Sequence, residues 1–159
     1  MDEPTPDRAV ESDDYRIATD DVVLCAALHS SLVVCLYDAV EEHGALLHLR
    51  LAAPGHSRDP NLTDNTLSSD LALLDRALRE LGAVSPQAKH WQAKLVAHTE
   101  DQASARVRCE GLQAFIGAFL QDAGIQVVSS MAHAELSVSV RFRPAMGQVR
   151  TLTAADTPR

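Results

Sequence analysis

Two short apolar runs, Val22–Leu28 and Leu32–Tyr37, flank three polar residues, His29-Ser30-Ser31. Each run is too short for an ordinary helix, and both are rich in residues that favour extended chain, so each is consistent with a buried strand. Asp38 stops the second run, and Glu41-Glu-His-Gly44 supplies a polar turn. Ala45–Leu51 then alternates, with Leu47, Leu49 and Leu51 on one side and Leu46, His48 and Arg50 on the other. Successive side chains of a strand point to opposite faces. Residues 32–51 are therefore predicted to form a β-hairpin, and a sheet is the frame into which the rest must fit.

The remaining elements follow from spacing and from start and stop signals. Tyr15–Thr19 reads as a lead-in strand, and residues 53–67, dense in Pro, Gly, Asn and Asp, read as a long loop. A helix is expected after it, capped by Ser68 or Ser69, with Asp70 in its first turn. Leu71, Leu74, Leu78 and Leu81 form its apolar stripe, and Gly82 ends it. Trp91–Ala97 is a predicted strand. A second helix covers roughly 104–123, with Leu112, Phe115, Ile116, Phe119 and Leu120 inward and Gly124 as its stop. Strands are then expected at Ile125–Val128, Glu135–Phe142 and Gln148–Leu152, with a turn at Pro144–Gly147. The fold class is α/β of an α+β-like kind: one domain of mixed β-sheets packed with two main helices.

Charge separates the ends from the body. Residues 1–14 hold six acids against Arg8, which is −5 of the formal −8 carried by 159 residues. Residues 1–14 thus read as a disordered acidic leader that aids solubility, residues 15–152 as the folded domain, and 153–159 as a tail. No basic face of the kind that nucleic acid requires is present. No apolar run approaches the roughly 18 residues of a membrane-spanning helix, so no membrane insertion is expected. The N-terminus lacks the layout of a secretion signal, which implies a cytoplasmic protein. Three cysteines (Cys25, Cys35, Cys109) without close pairing argue against a disulfide framework. The seven histidines show no metal-ligand spacing, so neither a metal nor another cofactor is expected.

The segment Leu28-His-Ser-Ser-Leu-Val-Val-Cys-Leu-Tyr-Asp38 resembles the signature of the chemoreceptor glutamine deamidase (CheD) family, which reads Leu-Gly-Ser-Cys-Val-Ala-Val-Cys-Leu-Tyr-Asp. A family histidine on the next strand matches His48 within Gly44-Ala-Leu-Leu-His48. The Asp70 helix, the Ala93-Lys-Leu-Val strand, the helix ending Ala123-Gly-Ile and Val140-Arg-Phe-Arg-Pro-Ala-Met-Gly-Gln-Val149 follow in family order. The resemblance spans about residues 20–152 and implies a CheD-like layered sandwich. It also implies action on the cytoplasmic domain of chemoreceptors, and a CheC-like phosphatase as a further partner.

The departures fall on the positions that carry the family's chemistry. Members use a Cys thiolate to attack a glutamine carboxamide, with a His as base and a Thr six residues before the Cys. The matching positions here are Ser31, His48 and Cys25. The Gly before the signature Ser is His29, and the Gly-Gly after the Lys strand is Ala97-His98. A thiol ionises near pH ~8.5, and a neighbouring His lowers that further. A serine hydroxyl instead needs a base in hydrogen-bond reach, usually oriented by a third group. Ser31 with His48 would be that pair, but Cys25 is a poor orienter and His29 crowds a turn whose backbone N–H groups would face an oxyanion. The expectation is a relative that keeps the fold and binds without catalysing; the alternative is a glutamine amidohydrolase using Ser31 and His48. Cys25 as a relocated nucleophile stands against Cys25 as a small packed residue, and Arg50 as a carboxylate binder against plain solvation. Cys35 reads as core and Cys109 as inert.

Overall fold

In a computed structural model, residues 6–50, 60–86, 90–99, 103–133 and 138–153 are described, without the side chains of 60–71, 103–105 and 108. The strands are β1 (Asp7–Ala9), β2 (Asp14–Ala18), β3 (Val23–Leu28), β4 (Ser31–Asp38) and β5 (His43–Arg50), then β6 (Trp91–His98), β7 (Gln126–His133), β8 (Val138–Arg143) and β9 (Gln148–Thr153). Helix α1 (Pro60–Val84) precedes β6 and α2 (Ala103–Asp122) follows it. The strands form a four-stranded sheet, β1-β3-β8-β9, and a five-stranded sheet, β2-β5-β4-β6-β7.

Strand β4 explains the layering. All eight of its residues are buried, because each of its faces meets a different layer. Leu32, Val34 and Leu36 join Leu74 and Leu81 of α1 and Ile116 and Leu120 of α2 in one core. Val33, Cys35 and Tyr37 face the other way and join Leu24, Val140 and Phe142 of the four-stranded sheet in a second core. The order is therefore sheet, sheet, helices, with the five-stranded sheet in the middle. An uninterrupted apolar run is what a strand covered on both faces requires. The predicted hairpin is the antiparallel pair β4 and β5, with Leu36 opposite Ala45 and Val34 opposite Leu47. β6 lies antiparallel on the other side of β4, and β7 runs parallel to β6, with α2 as the connection.

Several expectations need correction. The turn-rich loop read over 53–67 gives way at Pro60, where α1 begins. Proline suits the first turn of a helix, where its missing N–H costs nothing. Ser68 and Ser69, expected as caps, lie inside α1, which also runs two residues past Gly82 to Val84. Residues 51–59 lie outside the described residues, as do 134–137, which include the first three residues of the strand expected from Glu135. Phe115, expected inward, is 42% exposed. The buried stripe of α2 is Cys109, Ile116 and Leu120, and Phe115 sits about 100° away from Ile116 around the helix.

The acidic leader is also ordered from residue 6 onward. β1 pairs parallel with β3, Val10 is 5% exposed, and β2 pairs with β5. Local partners offset the acidic charge: Asp7 accepts from Arg141 at 2.8 Å, and the backbone N–H of Arg50 donates to Asp13 at 3.2 Å. Residues 1–5 and 154–159 lie outside the described residues.

Candidate functional site

The link between the two sheets carries the site. β3 belongs to the outer sheet and β4 to the middle one, and only His29 and Ser30 join them. So sharp a crossing puts Ser30 in the left-handed region, φ 49°, a conformation that costs a non-glycine residue about 1–2 kcal/mol. Two side chains hold the link. The Ser31 hydroxyl accepts from the His29 N–H at 3.0 Å and donates to the His29 carbonyl at 3.1 Å. Nδ1 of His98 accepts from the Ser30 N–H at 3.0 Å. Ser31 is 1% exposed and His98 is 6% exposed, while His29 stands outside with its ring edge-on to that of His98, centroids 6.5 Å apart.

Register explains the company. Ser31 opens β4 directly opposite Arg50 on one side and His98 on the other. Residues directly opposite share a face, so all three belong to the face turned toward the outer sheet. His48 shares that face but lies opposite Val33, one diagonal step from Ser31, which corresponds to about 7–8 Å between Cα atoms. Nδ1 of His48 donates to the carbonyl of Val10 at 3.1 Å, and its Nε2 is buried without a hydrogen-bond partner. The Ser31 hydroxyl and the His48 ring share one face and are not hydrogen-bonded to each other.

Cys25 lies elsewhere. In β3 Leu24, Ala26 and Leu28 point into the core, so Cys25 points to the outer face of the outer sheet, opposite Arg141 of β8. Its thiol is 3.7 Å from the Arg141 guanidinium. Burial pushes the thiol above its usual range, partly offset by the Arg141 charge. Its side chain thus lies on the other face of its sheet from the core, and its backbone carbonyl accepts from the Val10 N–H at 2.8 Å. Cys35 is fully buried and Cys109 is 1% exposed, and burial raises both thiols, as suits packed core residues. Arg50 is exposed and lies 3.9 Å from the Asp13 carboxylate.

His98 is the site residue whose position the sequence hides. Nothing in its spacing reveals that β6 pairs with β4 in the register that sets His98 against Ser31; its replacement of a family glycine was the one available signal. Among the described residues, no three His, Cys, Asp or Glu side chains are placed to hold a metal ion. No helix there is long and apolar enough to cross a membrane.

The arrangement is that of a two-sheet α+β domain with a serine and two buried histidines at the mouth of its central strand. No family model matches the chain. Curated relatives do match it over most of its length. It is 29% identical over 147 residues to the "Probable chemoreceptor glutamine deamidase CheD" of Rhizobium rhizogenes, covering 91% of this chain and 79% of that protein. It is 27% identical over 149 residues to the protein of the same name from Rhizobium etli, covering 92% and 80%. The Agrobacterium fabrum protein of that name is 29% identical over 147 residues, covering 91% and 79%. Over most of its length the chain is thus similar to proteins named as CheD deamidases.

Proposed function

We propose that this chain is a catalytically silent CheD relative that docks on the cytoplasmic domain of chemoreceptors. One observation carries the reading: the backbone N–H groups of His29 and Ser30, beside the nucleophile position, are both occupied by side chains of the protein itself. Hydrolysis of a carboxamide builds negative charge on the carbonyl oxygen, which open donors must meet as it forms; losing one such donor costs ~10²–10³ in rate. Here Ser31 and His98 use those donors in the ground state. The Ser31 proton is likewise directed at the His29 carbonyl and away from His48. A glycine at position 98 would leave the Ser30 N–H without that partner.

The family's substrate is a receptor glutamine, so a receptor segment is the ligand to test, with a CheC-like phosphatase as the second candidate. Titration of the protein with a glutamine-bearing receptor cytoplasmic fragment, followed by calorimetry, is expected to show saturable binding with no change in the fragment. Absence of binding to both the fragment and a CheC-like phosphatase would overturn the proposal.

A further inference from the structure

Val10 lies between β1 and β2, in a segment whose sequence reads as leader, yet its peptide touches both strands around the candidate site. Its N–H donates to the Cys25 carbonyl at 2.8 Å, and its carbonyl faces Nδ1 of His48 at 3.1 Å. A carbonyl oxygen only accepts, so the ring must carry a hydrogen on Nδ1. In the neutral ring, Nε2 is then a bare lone pair. That atom is buried and has no hydrogen-bond partner, on a residue 2% exposed. Buried polar groups are nearly always satisfied, and an orphaned one calls for a functional or structural reason.

The same segment holds His48 from a second direction. The Asp13 N–H donates to the His48 carbonyl at 2.7 Å, the Asp13 carboxylate accepts from the Arg50 N–H at 3.2 Å, and Asp13 itself adopts φ 60°. Residues 10–13 thus bracket His48, one end on its ring and the other on its backbone.

We propose that the Val10 backbone is a positioning group of the site, fixing His48 in the tautomer with hydrogen on Nδ1 and so leaving Nε2 as a buried acceptor. It supplies the third, orienting group that the Cys25 side chain cannot, with Cys25 acting only through its carbonyl, which anchors Val10. The inference rests on His48 being the site histidine of the preceding reading, although the tautomer is set by Val10 whatever the chain binds. A hydroxyl or thiol donor at position 31 that turned away from His29 would be the natural partner for Nε2.

Nitrogen-15 correlation spectra of the histidine rings in the full chain at neutral pH read the tautomer directly. The expected result is a single His48 form with hydrogen on Nδ1, where the free neutral ring in water favours Nε2. Hydrogen on Nε2, or rapid averaging between the two, would overturn the proposal. Val10→Pro removes the N–H that ties this peptide to β3, and is expected to turn the single form into a mixture. A folded Val10→Pro chain that keeps the pure Nδ1–H form would also overturn it. Should that variant not fold, the wild-type spectrum still decides. Because no substrate enters the measurement, failure here leaves receptor docking standing, and failure to dock leaves the tautomer result standing.

Discussion

Replacing Ser31 with alanine separates a structural role from a catalytic one. The hydroxyl makes two hydrogen bonds to His29, at 3.0 and 3.1 Å, from a position 1% exposed. A hydrogen bond contributes about 0.5–1.5 kcal/mol net, and stranding a buried partner costs about 1–3 kcal/mol. Those bonds also help to offset the strain of Ser30 at φ 49°. His29 is exposed, so water can take over part of what the hydroxyl gave its backbone. The expected loss for Ser31→Ala is therefore about 2 kcal/mol. For a domain of this size, that lowers the melting temperature by roughly 4–8 °C. Ser31→Cys, whose thiol is a weak donor and acceptor, should fall between the two. Urea unfolding followed by circular dichroism gives the difference. An alanine variant within about 0.5 kcal/mol of the wild type, the ordinary range for an inconsequential surface change, would refute the argument that the hydroxyl holds the link.

Other predictions follow from packing and charge. Gly44→Ala would drive a Cβ onto the Leu36 carbonyl and to 2.7 Å from the Pro144 Cβ; overpacking of this kind costs about 1–3 kcal/mol or more, so a melting temperature lowered by several degrees is expected, and an unchanged one would contradict the close approach. Among the three thiols, Cys25 should be the first alkylated in the native protein, since Cys35 and Cys109 are buried. Its thiol lies above the usual range, so at pH 8 it should react more slowly than free cysteine, and the rate should keep rising as pH climbs past ~8.5. Arg141→Ala removes the charge that opposes this shift and should slow the reaction further; an accelerated rate would show that the cation does not favour the thiolate.

Much of the fold was written in local pattern. The run from Leu32 to Tyr37 and the alternation after Gly44 state strands and their turn outright, because a period of two and an unbroken apolar stretch are properties of the chain alone. Gly124, at φ 83°, closes α2 where a left-handed residue is needed. The start of α1 was hidden because Asn, Asp and Thr serve turns and helices alike, and only the surrounding structure decides between them. The candidate site was legible to the extent that a motif names positions: Ser31 and His48 do share a face. What pairs across strands was not legible. His98 lies 67 residues from Ser31 and Val10 lies 38 from His48, and both come together only through register. Cys25 shows the limit from the other side, since its motif position points its thiol to the opposite face of its sheet.

The central claim is that the site is built but silent, and mass spectrometry tests it on a glutamine-bearing receptor fragment incubated with wild type, Ser31→Cys and Ser31→Cys combined with His98→Gly. Deamidation turns an amide into an acid and adds about one mass unit per glutamine. The account predicts no shift with the wild-type chain and a shift with the double variant, which restores a thiol and frees the Ser30 N–H. Any shift produced by the wild-type chain would contradict it, and its loss in a parallel Ser31→Ala incubation would make this protein an active serine-dependent deamidase.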